Sequence, residues 1–577
     1  MSRRDGEGAR SQGVHALSDA YVTEYAALDP IMATYLGIPG HERELTDYSP
    51  DGHLARAGLS ARAVRRIGAA EPVTANERVA QAVFAERGEV TREVHDARLD
   101  LAALNVTFSP VQHLREVFDL MPTDTPDHWA DVAARLARVP HALAGLRASL
   151  TLAADTGTAP AVRQAVRVAG QCETWAGSRG APSYFATFVA PARRQGIDAA
   201  LLAALDSGAR AAAGAYADLA AFLRRELAPR AREKDAVGAD LYRITARQYT
   251  GARLDLHEAY AWGWEEFLRV EGELRRVADR VSPGATPAEA AAVLDADPRH
   301  QVRGRQGLRE WMRELSGKAL AALNGREFDI PEALMTLECR IAPPGGGVGA
   351  YYNGPTQDFS RPGTMWWSVP ADRDVFPTWR EATTVYHEGV PGHHLQIGTA
   401  VSRADRLNSF QRLLCWVPGH GEGWALYAER LMRDLGHLDD GELLGMLGAQ
   451  LLRAARVVID LGTHLELTLP PGCGFHEGAR WTPALGLELL LTRTITDPGQ
   501  ARDEIDRYLG WPGQAPAYKL GERLWLTARD EARQRHGAAF DLRAFHRQAL
   551  EMGSMGLDTL RGQLGALPAA DGPTPTG

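Results

Sequence analysis

TWREATTVYHEGVPGHHLQIGT, residues 378–399, holds His387, Glu388, His393 and His394 in one short run. The run looks like the HExxH zinc helix with two extra residues before the second histidine. Two imidazoles that share one tetrahedral zinc must project from the same side of a helix at nearly the same height, which positions i and i+4 satisfy. In an unbroken helix His393, at i+6, points roughly 120° away from His387, and His394, at i+7, sits about 10 Å along the axis. A break is therefore required. Pro391 cannot donate to the carbonyl of His387 and Gly392 permits an unusual turn, so the sequence supplies a break where the geometry needs one. A bulge that absorbs two residues restores the direction of His393, the expected second ligand beside His387. His394 is the alternative ligand, and otherwise it supports the site or faces substrate.

With 18 histidines in 577 residues, a His-Glu-x-x-x-x-His string is expected by chance about 0.03 times. A polar helix core also holds single histidines, but three histidines and a glutamate so close together argue for a metal. The ion needs a third protein ligand and an open position for water. Residues 421–430, GEGWALYAER, offer Glu422, flanked by glycines that let backbones approach closely. Glu429 lies on the same face two turns later, where it either orients a ligand or forms a solvated salt bridge. Glu388 is the expected general base, able to take a proton from the activated water and pass it to a leaving amine.

Working outward, Ala, Leu and Arg recur at three- and four-residue intervals from about residue 16 to 233, interrupted at Gly or Pro, as in a series of helices. A second helical series begins near Leu254 and runs through 259–281 and 287–322, with Thr286 as a cap ahead of Pro287. At Ile341 the pattern changes: residues 348–353 and 364–369 are short aromatic and β-branched runs that predict a small hairpin joined by residues 357–363. Helices resume at Thr378. The expected organisation is a disordered start (1–15), an N-terminal helical lobe (16–240), a catalytic helical lobe (241–565) with its β element near 348–369, and a disordered tail (566–577).

Composition excludes several classes. The net charge of −9, from 64 basic and 73 acidic residues, gives neither a nucleic-acid-binding face nor an acidic tail. Cys172, Cys339, Cys415 and Cys473 are too scattered for a disulfide framework or a thiolate cluster, and read as buried thiols in a reducing compartment. The first residues lack the apolar core of a signal peptide and no later run is long enough to span a bilayer, so a cytoplasmic location without membrane association is expected. Oligomeric state is left open.

YHEGVPGHHLQ, GEGWALYAE and RYLGWPGQAPAYKLG, in that order, resemble the bacterial domain-of-unknown-function 885 family, which is similar to gluzincin-type zinc metallopeptidases. ATYLGIPGHERELTDYSP, residues 33–50, extends the resemblance toward the N-terminus. It implies a mainly α, two-lobed fold around a deep cleft, similar to thimet oligopeptidase or angiotensin-converting enzyme, with a small β hairpin beside the metal. It implies His387, His393 and Glu422 as ligands of Zn2+ and Glu388 as base.

The resemblance also puts GAYYNGP (349–355) and RPGTMWW (361–367) at the edge of the site, where Tyr351, Tyr352 and Arg361 are candidate substrate residues. An edge strand there offers unpaired backbone groups to an extended peptide, although a hairpin that merely closes the interface is the plainer reading. His464, Tyr508 and Tyr518 match positions that could stabilise an oxyanion, and Lys519 or Arg456 could hold a substrate carboxylate, though each is more often structural. The sequence departs from the family after His464, where LTLPPGCGFHEGARW intervenes, so His476 or Glu477 could contribute.

The leading expectation is a zinc hydrolase of peptide or peptide-like amide bonds in short substrates. The alternatives are a specialised amide hydrolase of a small metabolite and a catalytically silent helical binding protein. The intact Glu388 argues against the last, because a purely structural zinc needs no base.

Overall fold

The recurrent apolar positions become helices through most of the computed structural model, which describes residues 13–342, 349–370 and 372–569. The two disordered termini expected from composition fall largely on residues 1–12 and 570–577, and the Gly-rich start of the hairpin on 343–348, all outside the described residues. The expected cap forms: Thr286 accepts a hydrogen bond from the Glu289 amide, Glu289 reciprocates, and Pro287 stands in the first turn. That helix, however, ends at Ala296 instead of running to 322. Asp297-Pro298 interrupts it, a strand Gln301–Arg303 follows, and a second helix runs Gly304–Leu323.

The predicted hairpin is present and acquires a third strand. We label Leu337–Ile341 β1, Gly349–Asn353 β2 and Gly363–Ser368 β3. β2 pairs antiparallel with β3, and β1 pairs parallel on the other side of β3, so β2 is an edge. Met365 and Trp367 point inward and pack with Leu308, Met312 and Val385, which seats the sheet on the helix before it, Gly304–Leu323, and on the one after it.

Six helices matter for the site: α1 (Thr378–Glu388), α2 (His393–Ser402), α3 (Pro418–Asp434), α4 (Asp440–His464), α5 (Pro498–Gly510) and α6 (Ala517–His536). α1 packs on both α3 and α4, and α3 lies along α6. The contact between α3 and α6 is close because it is made of glycines. A Cβ on Gly423 would lie 2.5 Å from the Gly521 backbone, and one on Gly521 would lie 1.9 Å from the Gly419 carbonyl.

The boundary expected at residue 240 does not divide the hydrophobic cores. Tyr21 and Phe84, from helices Val14–Leu28 and Ala75–Asp96, belong to the same buried cluster as Trp424 and Trp525. A separate cluster around Trp129, Leu146 and Tyr216 lies wholly in the N-terminal half. Periodicity reports which face of a helix is apolar but not which distant face covers it. All four cysteines are buried and free. No helix among the described residues is long and apolar enough to cross a membrane.

Candidate metal centre

Sequence geometry demanded an interruption between the two histidines, and the chain makes it by ending one helix and starting another. α1 stops at Glu388, four residues turn, and α2 begins at His393 itself. The difference from a bulged single helix is physical: the backbone at Gly389 and Gly392 leaves the helical region altogether, with ψ of −116° and −129°. Gly392 donates its amide to the Tyr386 carbonyl at 3.0 Å. A Cβ at Gly392 would sit 1.9 Å from the His387 carbonyl, so only glycine fits this crossing. Trp424 of α3 pins the turn from outside, donating its indole N–H to the Pro391 carbonyl at 2.9 Å.

The consequence is that His387, His393 and Glu422 offer donor atoms that all lie within 4.8 Å of one another. Glu422 Oε2 is 3.2 Å from His387 Nε2 and 3.5 Å from His393 Nε2. A tetrahedral zinc with bonds near 2.0 to 2.1 Å has ligand-to-ligand edges of about 3.4 Å. The two separations from Glu422 bracket that edge. Both imidazoles turn Nε2 inward, and their rings meet nearly perpendicular, with centroids 4.9 Å apart.

The supports of the cluster are as specific as its members. His387 Nδ1 donates to Glu429 Oε1 at 2.7 Å, and Thr383, one turn earlier on α1, donates its hydroxyl to Glu429 Oε2 at 2.7 Å. Glu429 is buried and is no solvated ion pair. Burial alone would lower the His387 pKa, but the hydrogen bonds to Glu422 and Glu429 outweigh it and push it up to about 10. Burial would likewise raise Glu422, yet hydrogen bonds from the two histidines hold it well below the usual carboxylate range. A buried site that favours positive charge so strongly suits a divalent cation, and the residues fit one.

Glu388 is also buried, beside the cluster but not part of it. Desolvation raises its pKa, partly opposed by His387 and His393.

His394 resolves the other way from its neighbour. Its Nε2 donates to the Leu334 carbonyl at 2.8 Å and its Nδ1 accepts from the Tyr352 hydroxyl at 3.0 Å. It is fully buried and is not one of the three clustered donors; it ties α2 to β2. Tyr352 thereby serves the scaffold. Tyr351, on the opposite face of β2, is 44% exposed and stacks on Trp366. Arg361 is exposed and donates to the Gly354 carbonyl.

The residues expected to supply the oxyanion donor make other contacts. His464 is fully buried at the end of α4, donating Nε2–H to the Tyr508 carbonyl at 2.9 Å. Tyr508 is buried too, between Arg456 and Glu504. Tyr518 accepts from Arg507 at 3.4 Å and lies under the Arg456 guanidinium. None of the three is hydrogen-bonded to the metal cluster. Lys519 is not free for a substrate: Glu266 and Gln450 hold it at 2.7 and 2.8 Å, and Glu522 lies closer still. Arg456 is clamped by Glu504 at 2.9 and 2.7 Å. In the inserted loop His476 pairs with Glu488, and Glu477 accepts amides of Gly472 and Gly474. His464, Arg456 and Lys519 bond interior partners 44, 48 and up to 253 residues away in sequence, which spacing alone does not reveal.

Sequence reasoning missed Trp416 and Arg453. Trp416 is 44% exposed with its ring 5.8 Å from His393, and a Cβ on Gly421 would strike that ring at 2.2 Å. The glycine before Glu422 was the available signal. A cavity of about 320 Å³ lies away from the cluster, near the end of α2, lined by Phe328, Ile330, Thr399 and Arg403 among others.

The family model described as a bacterial protein of unknown function, DUF885, matches residues 30–564. A solved structure described as "the putative lipoprotein from Colwellia psychrerythraea" superposes with a TM-score of 0.82 at 22% identity, over 96% of this chain and 98% of that one. A second, described as "a putative lipoprotein of unknown function" from Shewanella oneidensis, gives 0.71 at 18% identity, over 96% and 99%. Both are similar in fold. No curated protein matches the chain.

Proposed function

We propose that this chain, which belongs to the bacterial DUF885 family, is a zinc-dependent hydrolase of peptide or peptide-like amide bonds in short substrates. The observation that carries the reading is the 3.2 and 3.5 Å spacing of His387 Nε2 and His393 Nε2 from one Glu422 oxygen, with Glu388 buried alongside. Three protein donors with an adjacent base is the composition of a catalytic zinc site, whereas structural zinc is closed by four.

Bound Zn2+ would polarise the scissile carbonyl and acidify water. His387, His393 and Glu422 would hold it, and Glu429 and Thr383 would keep His387 in the tautomer that presents Nε2. Glu388 would take the proton from water and return it to the leaving nitrogen. Edge strand β2 touches α1, so its unpaired backbone groups are suited to an extended substrate.

Two lobes around a deep cleft, as proposed here, would favour short, flexible chains over folded ones. The four free, buried thiols favour a reducing, cytoplasmic setting.

The test is turnover of short peptides by protein loaded with one equivalent of zinc, beside Glu388→Gln. The variant should keep its metal and lose about 10²- to 10⁴-fold in kcat. Stoichiometric metal with no cleavage of any amide would instead indicate a binding protein.

A further inference from the structure

Gly445 brings α4 close against the start of α1: a Cβ there would lie 2.2 Å from the Trp379 carbonyl. About two turns further along α4, which packs on both α1 and α3, Arg453 occupies a half-buried position. It pairs with neither Glu388 of α1 nor Glu429 of α3. Among the described residues no carboxylate oxygen lies within the 4.0 Å ion-pair limit of Arg453. Its Nη1 donates to the Ala449 carbonyl of its own helix at 3.3 Å, and its Nε is buried without a partner.

The neighbouring cations behave differently. Arg456 is clamped by Glu504, Arg430 by Glu522 and Glu266, and Lys519 by Glu266 and Glu522. One turn before Arg453, Gln450 is fully buried with its oxygen accepting from Lys519 and its amide nitrogen unpartnered. Two orphan donor groups thus stand one turn apart on α4, in a region where other charges are matched. A partly desolvated guanidinium without an anion is costly, and an incoming anion offsets that cost. The planar fork suits a carboxylate, which it can grip through two parallel hydrogen bonds.

We propose that Arg453 is the anchor for a substrate carboxylate, so that the amides cleaved here are those of short acids whose amine side ends in a free carboxylate. This rests on the hydrolase reading above and narrows it to carboxypeptidase-like or aminoacylase-like substrates. Because Arg453 makes no ion pair with Glu388, the carboxylate it would hold is distinct from the base, and Arg453 is a specificity-determining residue.

The experiment compares di- to tetrapeptides and N-acyl amino acids as free acids and as C-terminal amides, with zinc-loaded wild type, Arg453→Met and Arg453→Lys. Wild type should prefer the free acids by at least about 30-fold in kcat/KM, mostly through KM. Arg453→Met should erase that preference by lowering kcat/KM for the free acids far more than for the amides, and Arg453→Lys should restore part of it. Equal cleavage of acids and amides by wild type, or an equal loss on both in Arg453→Met, overturns the proposal and leaves the hydrolase reading intact.

If wild type cleaves neither form, the hydrolase reading fails, and calorimetric titration of the same acids into wild type and Arg453→Met decides separately. Binding of the acid form lost in Arg453→Met supports the anchor. Binding indifferent to the substitution, or none, contradicts it.

Discussion

Glu429 receives His387 Nδ1–H on one oxygen and the Thr383 hydroxyl on the other, each at 2.7 Å. The carboxylate therefore fixes both the rotation of the His387 ring and the nitrogen that carries its proton, leaving Nε2 to face Glu422. Replacing such a partner typically costs about 10- to 100-fold in metal affinity. Glu429→Ala should weaken zinc binding by that factor in chelator competition while one equivalent still binds at saturation. Thr383→Val should produce a smaller loss in the same direction. Unchanged affinity in Glu429→Ala would show that the carboxylate is only a buried structural acid.

Two glycines at the site should respond differently to the same methyl group. At Gly392 the obstacle is backbone, the His387 carbonyl at 1.9 Å, which cannot move without unseating His387. At Gly421 the obstacle is the exposed Trp416 ring at 2.2 Å, which can swing into solvent. Gly392→Ala should cost about 3 kcal/mol or more of unfolding free energy, or abolish stoichiometric metal. Gly421→Ala should cost about 1 kcal/mol and keep the metal. Denaturant unfolding and metal analysis on both variants check the order, and equal effects would count against the turn described here.

Acid should destabilise the fold through histidines buried in the neutral form. Burial pushes His546 and His464 down to about 4 from an ordinary 6.5. His546 sits between the Tyr427 hydroxyl and the Glu327 carbonyl. Because the unfolded chain binds these protons more readily, the stability involved is whole above pH 6.5 and is lost as pH falls toward 4. At pH 5 each histidine should account for a loss of order 2 kcal/mol. Urea unfolding at pH 7.5 and pH 5 measures it, and equal stabilities would contradict the neutral burial.

What was legible in the sequence was local. The helix and hairpin signals, the Thr286 cap and the need for a break between His387 and His393 follow from backbone geometry that neighbouring residues determine. The glycines flanking Glu422 signalled close packing, and Gly423 does meet Gly521. The choice between His393 and His394 depended on backbone angles at Gly389 and Gly392 that spacing does not specify. The roles offered for His464, Tyr508 and Lys519 needed partners such as Glu266 and the Tyr508 carbonyl, whose proximity arises only from tertiary packing. Arg453 carries no motif at all; its character comes from having no ion-pair partner among the described residues.

The most direct measurement is metal stoichiometry and anomalous diffraction on zinc-loaded crystals, with His393→Ala and His394→Ala analysed alongside. One zinc should lie about 2.0 to 2.1 Å from His387 Nε2, His393 Nε2 and a Glu422 oxygen. His393→Ala should lose the ion, and His394→Ala should retain it while losing stability. An ion bound elsewhere, or one lost with His394 and kept without His393, would contradict the account.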